Sequence, residues 1–155
     1  MSLEPRDYTV IGYFRHDART TLTDMSKTTQ IPVSTIYDKL QRFEERDIIK
    51  RHTSLVNFDE LGYDIRVYLL LTVDKGDYEG VEGFLDQHRK VNNVLRTSNG
   101  YDYIAEAIFH DMEEYDEFFT ALDDEPVDEC EQHFVMDEVK REAFMKYDDA
   151  LGVKR

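Results

Sequence analysis

Between Asp7 and Ala18, the apolar residues Val10, Ile11 and Phe14 recur at the spacing of one helix face, with Pro5 near the start, and this predicts a first helix. In "TLTD", Thr21 and Asp24 stand in the S/T-x-x-acid arrangement that satisfies free amides at a helix start, so a second, short helix is expected from about Leu22 to Thr29. Pro32 in "QIPV" lacks an amide hydrogen and disfavours helical geometry at Ile31, which breaks the chain before a third helix begins near Val33. At 100° per residue, Val33, Ile36, Leu40 and Phe43 of that helix form one buried side. Thr35, Asp38, Arg42 and Arg46 occupy the opposite arc, with Lys39 at its flank. "IIKRHTSLVNF" then turns β-like, predicting a strand or small hairpin. Two helices, a tight turn, an exposed helix and a β-wing describe a winged helix-turn-helix.

The pattern after Gly62 is different. "GYDIRVYLLLTVD" reads as a buried strand and "YEGVEGFLDQHRK" as a helix with Val81, Phe84 and Leu85 inward. "VNNVLRTS" and "YDYIAEAIF" are strand-like and are separated by Asn99-Gly100, a strong hairpin signal. "MEEYDEFFTALDD" places Met112, Tyr115, Phe118, Phe119 and Leu122 on one helical side, and "VDECEQHFVMDEVK" alternates as a final strand. The order β-α-β-β-α-β predicts a ferredoxin-like α/β plait, four antiparallel strands with both helices on one face. An apolar opposite face would need a cover, and a second copy of the chain is the natural one. The expected class is therefore α+β. The winged helix-turn-helix is assigned to residues 1–53, a linker to 54–64, the plait to 65–140 and a C-terminal tail to 141–155.

Charge sharpens this division. The 155 residues carry a net charge of -15, which argues against nucleic-acid binding by the chain as a whole. Residues 1–62, however, hold nine Lys and Arg against ten Asp and Glu, whereas residues 63–155 hold ten against 24. The N-terminal part is near neutral, so a local positive stripe can still meet phosphate. The acidic residues Glu113, Glu114, Asp116, Glu117, Asp123, Asp124 and Glu125 read as a solvated outer face. A sharper reading is that they repel DNA and leave only the reading heads to touch it. A hydrophobic content of 41%, with nine Phe and ten Tyr, supports real cores. No apolar run approaches a membrane span and "MSLEPRD" has no apolar signal region, so a soluble, cytoplasmic protein without membrane contact is expected. One cysteine, Cys130, excludes an intramolecular disulfide, and five histidines without paired spacing give no metal motif. No cofactor is expected.

Taken together, the chain resembles the Lrp/AsnC family of leucine-responsive and feast/famine regulators from Asp7 to about Lys140. Its D-A-R signature is present as Asp17-Ala18-Arg19, and "QIPVSTIYDKLQRFEERDII" aligns without a gap to the family's helix-turn-helix pattern. "DELGY" resembles the family's linker, and "NGYD", residues 99–102, stands where the family has a G-x-Y-D-like turn. Gln30 and Asp47 replace glycines of that pattern, Pro32 replaces a capping Ser, and Asp38 stands where a basic or neutral residue is common. The resemblance implies a transcriptional regulator that dimerises through its plaits, can build an octamer and binds an amino acid near plait interfaces.

For contact with double-stranded DNA the candidates are Ser34, Thr35, Tyr37, Lys39 and Arg42, with Lys50, Arg51 and His52 of the wing on backbone phosphate. An ordinary solvated helix face, its cations paired with Glu44 and Glu45, is the alternative for the stripe. For a small effector the candidates are Asn99, Gly100, Tyr101 and Asp102, with Thr97 and Ser98 beside them; the alternative is a hairpin without a ligand. Two rival functions stay open here. One is an effector sensor without DNA binding, favoured by Asp38 and the net charge. The other is an enzyme like the sirohaem decarboxylases, which resemble this two-domain layout but need basic groups for a polycarboxylate, where the C-terminal part offers few beyond Arg66, Arg89, Lys90 and Arg96. The reading adopted is a non-enzymatic regulator.

Overall fold

The computed structural model describes residues 3–74 and 76–144. They fall into two compact units, one running up to Leu55 and joined by the segment from Lys140, the other Val56–Val139.

In the first unit, α1 spans Pro5–His16, α2 Leu22–Thr29 and α3 Val33–Glu45. Pro5 starts α1 where its missing amide costs nothing, and the Asp7 carboxylate accepts the Glu4 amide at 2.8 Å. Thr21 caps α2 by accepting the Asp24 amide at 3.1 Å, the role its spacing predicts. Gln30 closes α2 at φ 58° and Asp47 follows α3 at φ 54°, so both replacements of family glycines lie in the left-handed region that disfavours a Cβ. Val10, Met25, Ile31, Ile36 and Phe43 form the core, each less than 5% exposed. Arg15 donates to the Phe144 carbonyl and to Glu142, both at 2.8 Å, so residues expected in a separate tail pack on this unit.

The expected β-wing is not formed. Residues 46–57 contain no strand. After the left-handed turn at Asp47, the amides of Ile48 and Ile49 bond the Phe43 carbonyl at 2.8 and 3.1 Å, and their side chains pack on the helical core. These β-branched residues therefore close α3 instead of entering a ladder.

The second unit has the predicted order: β1 Ile65–Val73, α4 Tyr78–Gln87, β2 Val91–Arg96, β3 Tyr103–Phe109, α5 Met112–Leu122 and β4 Val127–Phe134, after a single 3-10 turn at Asp59–Leu61. The four-stranded sheet is ordered β2-β3-β1-β4 with antiparallel pairs throughout. Alternation along the strands sorts the two faces. Val67, Leu69, Leu71 and Val73 of β1, with Tyr103, Ala105, Ala107 and Phe109 of β3, pack against Val81 and Leu85 of α4 and Phe118 and Leu122 of α5. Phe118 sits at the centre of this layer, its ring 5.7 Å from Phe84, 5.4 Å from Phe109 and 5.3 Å from Phe119. The opposite face carries Arg66, Tyr68 and Leu70 of β1 with Ile104, Glu106 and Ile108 of β3, so its centre is polar.

Candidate functional site

The side chains of α3 are sorted differently from the wheel. Ser34, Tyr37, Asp38 and Gln41 are exposed and Thr35 is half-buried. Tyr37 is 51% exposed and accepts from Gln41 Nε2 at 3.0 Å, so it lies on the solvent side of the helix. Lys39, expected at the flank of the exposed arc, is only 8% exposed. Its Nζ donates to Asp7 Oδ1 at 2.5 Å. Arg42 Nη2 reaches the same oxygen at 3.1 Å while 39% of its side chain stays exposed. Burial pushes the Asp7 carboxyl up, and the bonds from Lys39 and the Glu4 amide with the Lys39 and Arg42 charges more than reverse this, holding its pKa below the usual aspartate value.

Asp7 is the residue that sequence reasoning missed. It lies in the first turn of α1 among capping residues, and only the packing of α1 on α3 brings it to the stripe. Lys39 and Arg42, three apart on one helix face, turn to the same carboxylate, and neither pairs with the neighbours Glu44 and Glu45. Lys50, Arg51 and His52 are exposed on the segment after α3. His52 Nε2 lies 3.3 Å from Glu44 Oε1, and its ring is 6.0 Å from that of Phe14.

In the plait unit, the hairpin between β2 and β3 turns at Asn99, φ 71°, and Gly100, φ 100°. Ser98, Asn99 and Gly100 are exposed. Thr97 Oγ1 donates to the Tyr101 carbonyl at 2.5 Å and the Thr97 amide to the Asp102 carbonyl at 2.8 Å. The Asp102 carboxylate already accepts the Val73 amide at 2.9 Å and faces the Tyr78 hydroxyl at 3.5 Å, which fixes the hairpin base to β1. A hydrogen bond to Glu131, with burial and the Glu129 charge, pushes the Tyr101 phenol up to about 12.

Beside the hairpin base is an open cavity of about 470 Å³ lined by Glu79, Glu82, Gly83, Asp86, Val94, Arg96 and Tyr103. The Arg96 guanidinium lies 4.7 Å from the Tyr78 ring centre and its Nη1 is 3.2 Å from Glu82. Tyr103 Oη donates to the same Glu82 oxygen at 2.7 Å, and burial followed by that bond pushes the phenol up to about 12. The cavity brings one guanidinium and three carboxylates together. Sequence spacing gave no sign of it, because its residues come from α4, β2 and β3.

Of the basic residues that a polycarboxylate substrate would need, Arg66 is held by Glu106 at 2.6 Å and Glu138 at 2.7 Å, Lys90 by Glu114 at 2.5 Å, and Arg96 by Glu82. Among the described residues no group of three or more His, Cys, Asp or Glu is placed to hold a metal ion, and no helix is long and apolar enough to cross a membrane.

Residues 66–144 match the family model of the Lrp/AsnC ligand binding domain. The chain is 30% identical over 120 residues to the HTH-type transcriptional regulator FL11 of Pyrococcus furiosus, an alignment covering 77% of this chain and 80% of that protein. Its fold is similar to that of a transcriptional regulator from Neisseria meningitidis solved as a complex with L-Met, with a TM-score of 0.83, 19% identity and coverage of 90% of this chain and 94% of that one. It is likewise similar to AsnC of E. coli, with a TM-score of 0.80, 15% identity and coverage of 91% and 97%.

Proposed function

From this chain's membership of the Lrp/AsnC family, as a DNA-binding transcriptional regulator with a ligand-binding domain, we infer how its two units divide the work. The helix α3 enters the major groove, with Ser34, Thr35 and Tyr37 at base edges and Arg42 reaching out to a guanine edge or phosphate. Lys50, Arg51 and His52 follow on the backbone without a β-wing. The observation that carries this reading is the polar exposed edge of α3, set after a capped short helix and a Pro-broken turn. Selection of sites from random duplex DNA, followed by affinity measurements across salt concentration, tests it. The expected result is a palindromic motif whose log affinity falls with log salt, and Arg42→Ala should lose about 1–3 kcal/mol of operator binding. Full affinity in that variant removes Arg42 from the interface.

The plait unit serves as effector sensor and association module. An amino acid fits the chemistry of the cavity beside residues 97–102: Arg96 is placed to take an α-carboxylate, and Glu82 an ammonium group. The helix-free sheet face, with Tyr68, Leu70, Ile104 and the 61%-exposed Leu95, is the surface for a second copy, giving a homodimer and from it larger rings such as an octamer. Thermal-shift titration with single amino acids tests the sensor. A shift for one of them that is lost in Arg96→Ala supports the assignment, and a shift that survives this change excludes Arg96. Cytoplasmic action on duplex DNA completes the proposal.

A further inference from the structure

Asp7 is 3% exposed, lies outside the exposed edge of α3 and has no part in the DNA contacts proposed above. A single oxygen of its carboxylate nonetheless receives both Lys39 and Arg42 of that helix. The other oxygen accepts the Glu4 amide at 2.8 Å, which fixes the carboxylate to the first turn of α1. Lys39, with 10% of its side chain exposed, is thereby spent inside the unit. Arg42 is held by one terminal nitrogen, and its Nε is buried with no hydrogen-bond partner among the described residues. The guanidinium is thus aimed by a single anchor, with its Nε–H buried and 39% of the side chain still exposed.

We propose that Asp7 is a positioning residue for DNA reading, which withdraws Lys39 from the groove-facing surface and aims Arg42, so that α3 reads with one oriented arginine instead of two free cations. The proposal rests on the reading of α3 as the groove-entering helix. Its physical logic is a trade between attraction and selectivity. Each free cation that neutralises a phosphate raises affinity for any sequence. A guanidinium held in one orientation contributes where a base edge matches its donors. Up to Leu55 nine basic residues stand against eight acidic ones, so internal neutralisation of one lysine changes the local field appreciably.

The test uses the full chain, its selected operator and a random duplex of equal length, with affinities measured from low to high salt and folding checked by circular dichroism. Asp7→Asn keeps the size and the acceptor for the Glu4 amide but removes the charge. Its expected effect is tighter random-duplex binding, a salt slope steeper by about 0.9, the value of one additional phosphate, and a several-fold lower ratio of operator to random affinity. A role confined to stability would weaken both affinities together at unchanged slope, and that outcome overturns the proposal. Lys39→Met, which leaves Asp7 to Arg42, is expected to keep the wild-type slope on both duplexes. Loss of a full phosphate equivalent in this variant would show Lys39 reaching DNA and overturn the proposal even if Asp7→Asn failed to fold. Wild-type protein without salt-dependent duplex binding would instead remove the underlying reading of α3, and the role of Asp7 with it.

Discussion

Glu106 offers the sharpest test of how the plait is held together. Its side chain is fully buried in the middle of the helix-free sheet face. Oε1 accepts from Arg66 Nε at 2.6 Å and faces the Tyr68 hydroxyl at 3.4 Å, while Oε2 accepts from Asn92 at 2.6 Å and Asn93 at 2.7 Å. A slip in register between Val91 and Asn93 brings both asparagines to the same carboxylate. Glu106→Gln keeps the shape but has one oxygen for these donors, and its amide hydrogens meet the others head-on. Breaking a buried pair by neutralising one partner costs about 3–5 kcal/mol. Arg66 retains Glu138 at 2.7 Å, which places the expected loss near the lower end, at about 3 kcal/mol. Urea unfolding followed by circular dichroism at pH 7 reads this loss.

The same pair of proteins provides a pH check. Burial pushes the Glu106 carboxyl up, but hydrogen bonds from Asn92 and Asn93 with the Arg66 charge bring its pKa below the ordinary 4.5. A depressed folded-state pKa means stability that is full above the unfolded value and is lost as pH falls through the folded one. The gap between wild type and variant should therefore shrink on acidification below 4.5. A gap under about 1 kcal/mol at pH 7, the size of an ordinary hydrogen bond, or one that persists undiminished at pH 3, would refute the reasoning.

Gln30 and Asp47 occupy left-handed positions at φ 58° and 54°, so Gln30→Gly and Asp47→Gly should each stabilise the chain by up to about 1 kcal/mol, relief of strain exceeding the entropy cost of glycine. A lower melting temperature in either variant would contradict this. Cys130 is pushed up from 9.0 to about 11, by burial first and by the Asp123 charge second. Its alkylation by iodoacetamide at pH 8 should run about 100-fold slower than that of the unfolded chain, since the thiolate is the nucleophile. Equal rates would exclude the buried setting.

The elements that sequence pattern predicted well are those with a local cause. The Thr21 cap, the Pro32 break, the hairpin at Asn99-Gly100 and the aromatic side of α5 each rest on residues within a few positions of one another. The strands alternate clearly enough that their order already implied the sheet. What was not legible depends on long-range partners. A wing needs a second strand to pair with, and Ile48 and Ile49 have the composition of a strand but find the helical core first. A helical wheel places Lys39 at a flank, but whether a flank is wet is settled by the neighbouring helix, 32 positions earlier in the chain. The cavity at Arg96 is assembled from three elements, each of which looks ordinary alone.

Asp7 and Glu106 show the same device in two separately packed units. Each is a carboxylate almost wholly buried, 3% exposed for Asp7 and 1% for Glu106, that gathers basic side chains around itself, Lys39 and Arg42 in the helical unit and Arg66 in the plait. In a chain of net charge -15, cations are scarce, and their placement matters more than their number. A positive residue left free on the plait would invite phosphate to a surface that does not read sequence. Arg66, Lys90 and Arg96 are each held by a carboxylate within 3.2 Å, whereas Lys50 and Arg51 are exposed on the segment after α3, the helix proposed to read DNA. The net acidity that first argued against a DNA-binding protein is then consistent with one, because what duplex DNA meets is a local field and not the sum over the chain.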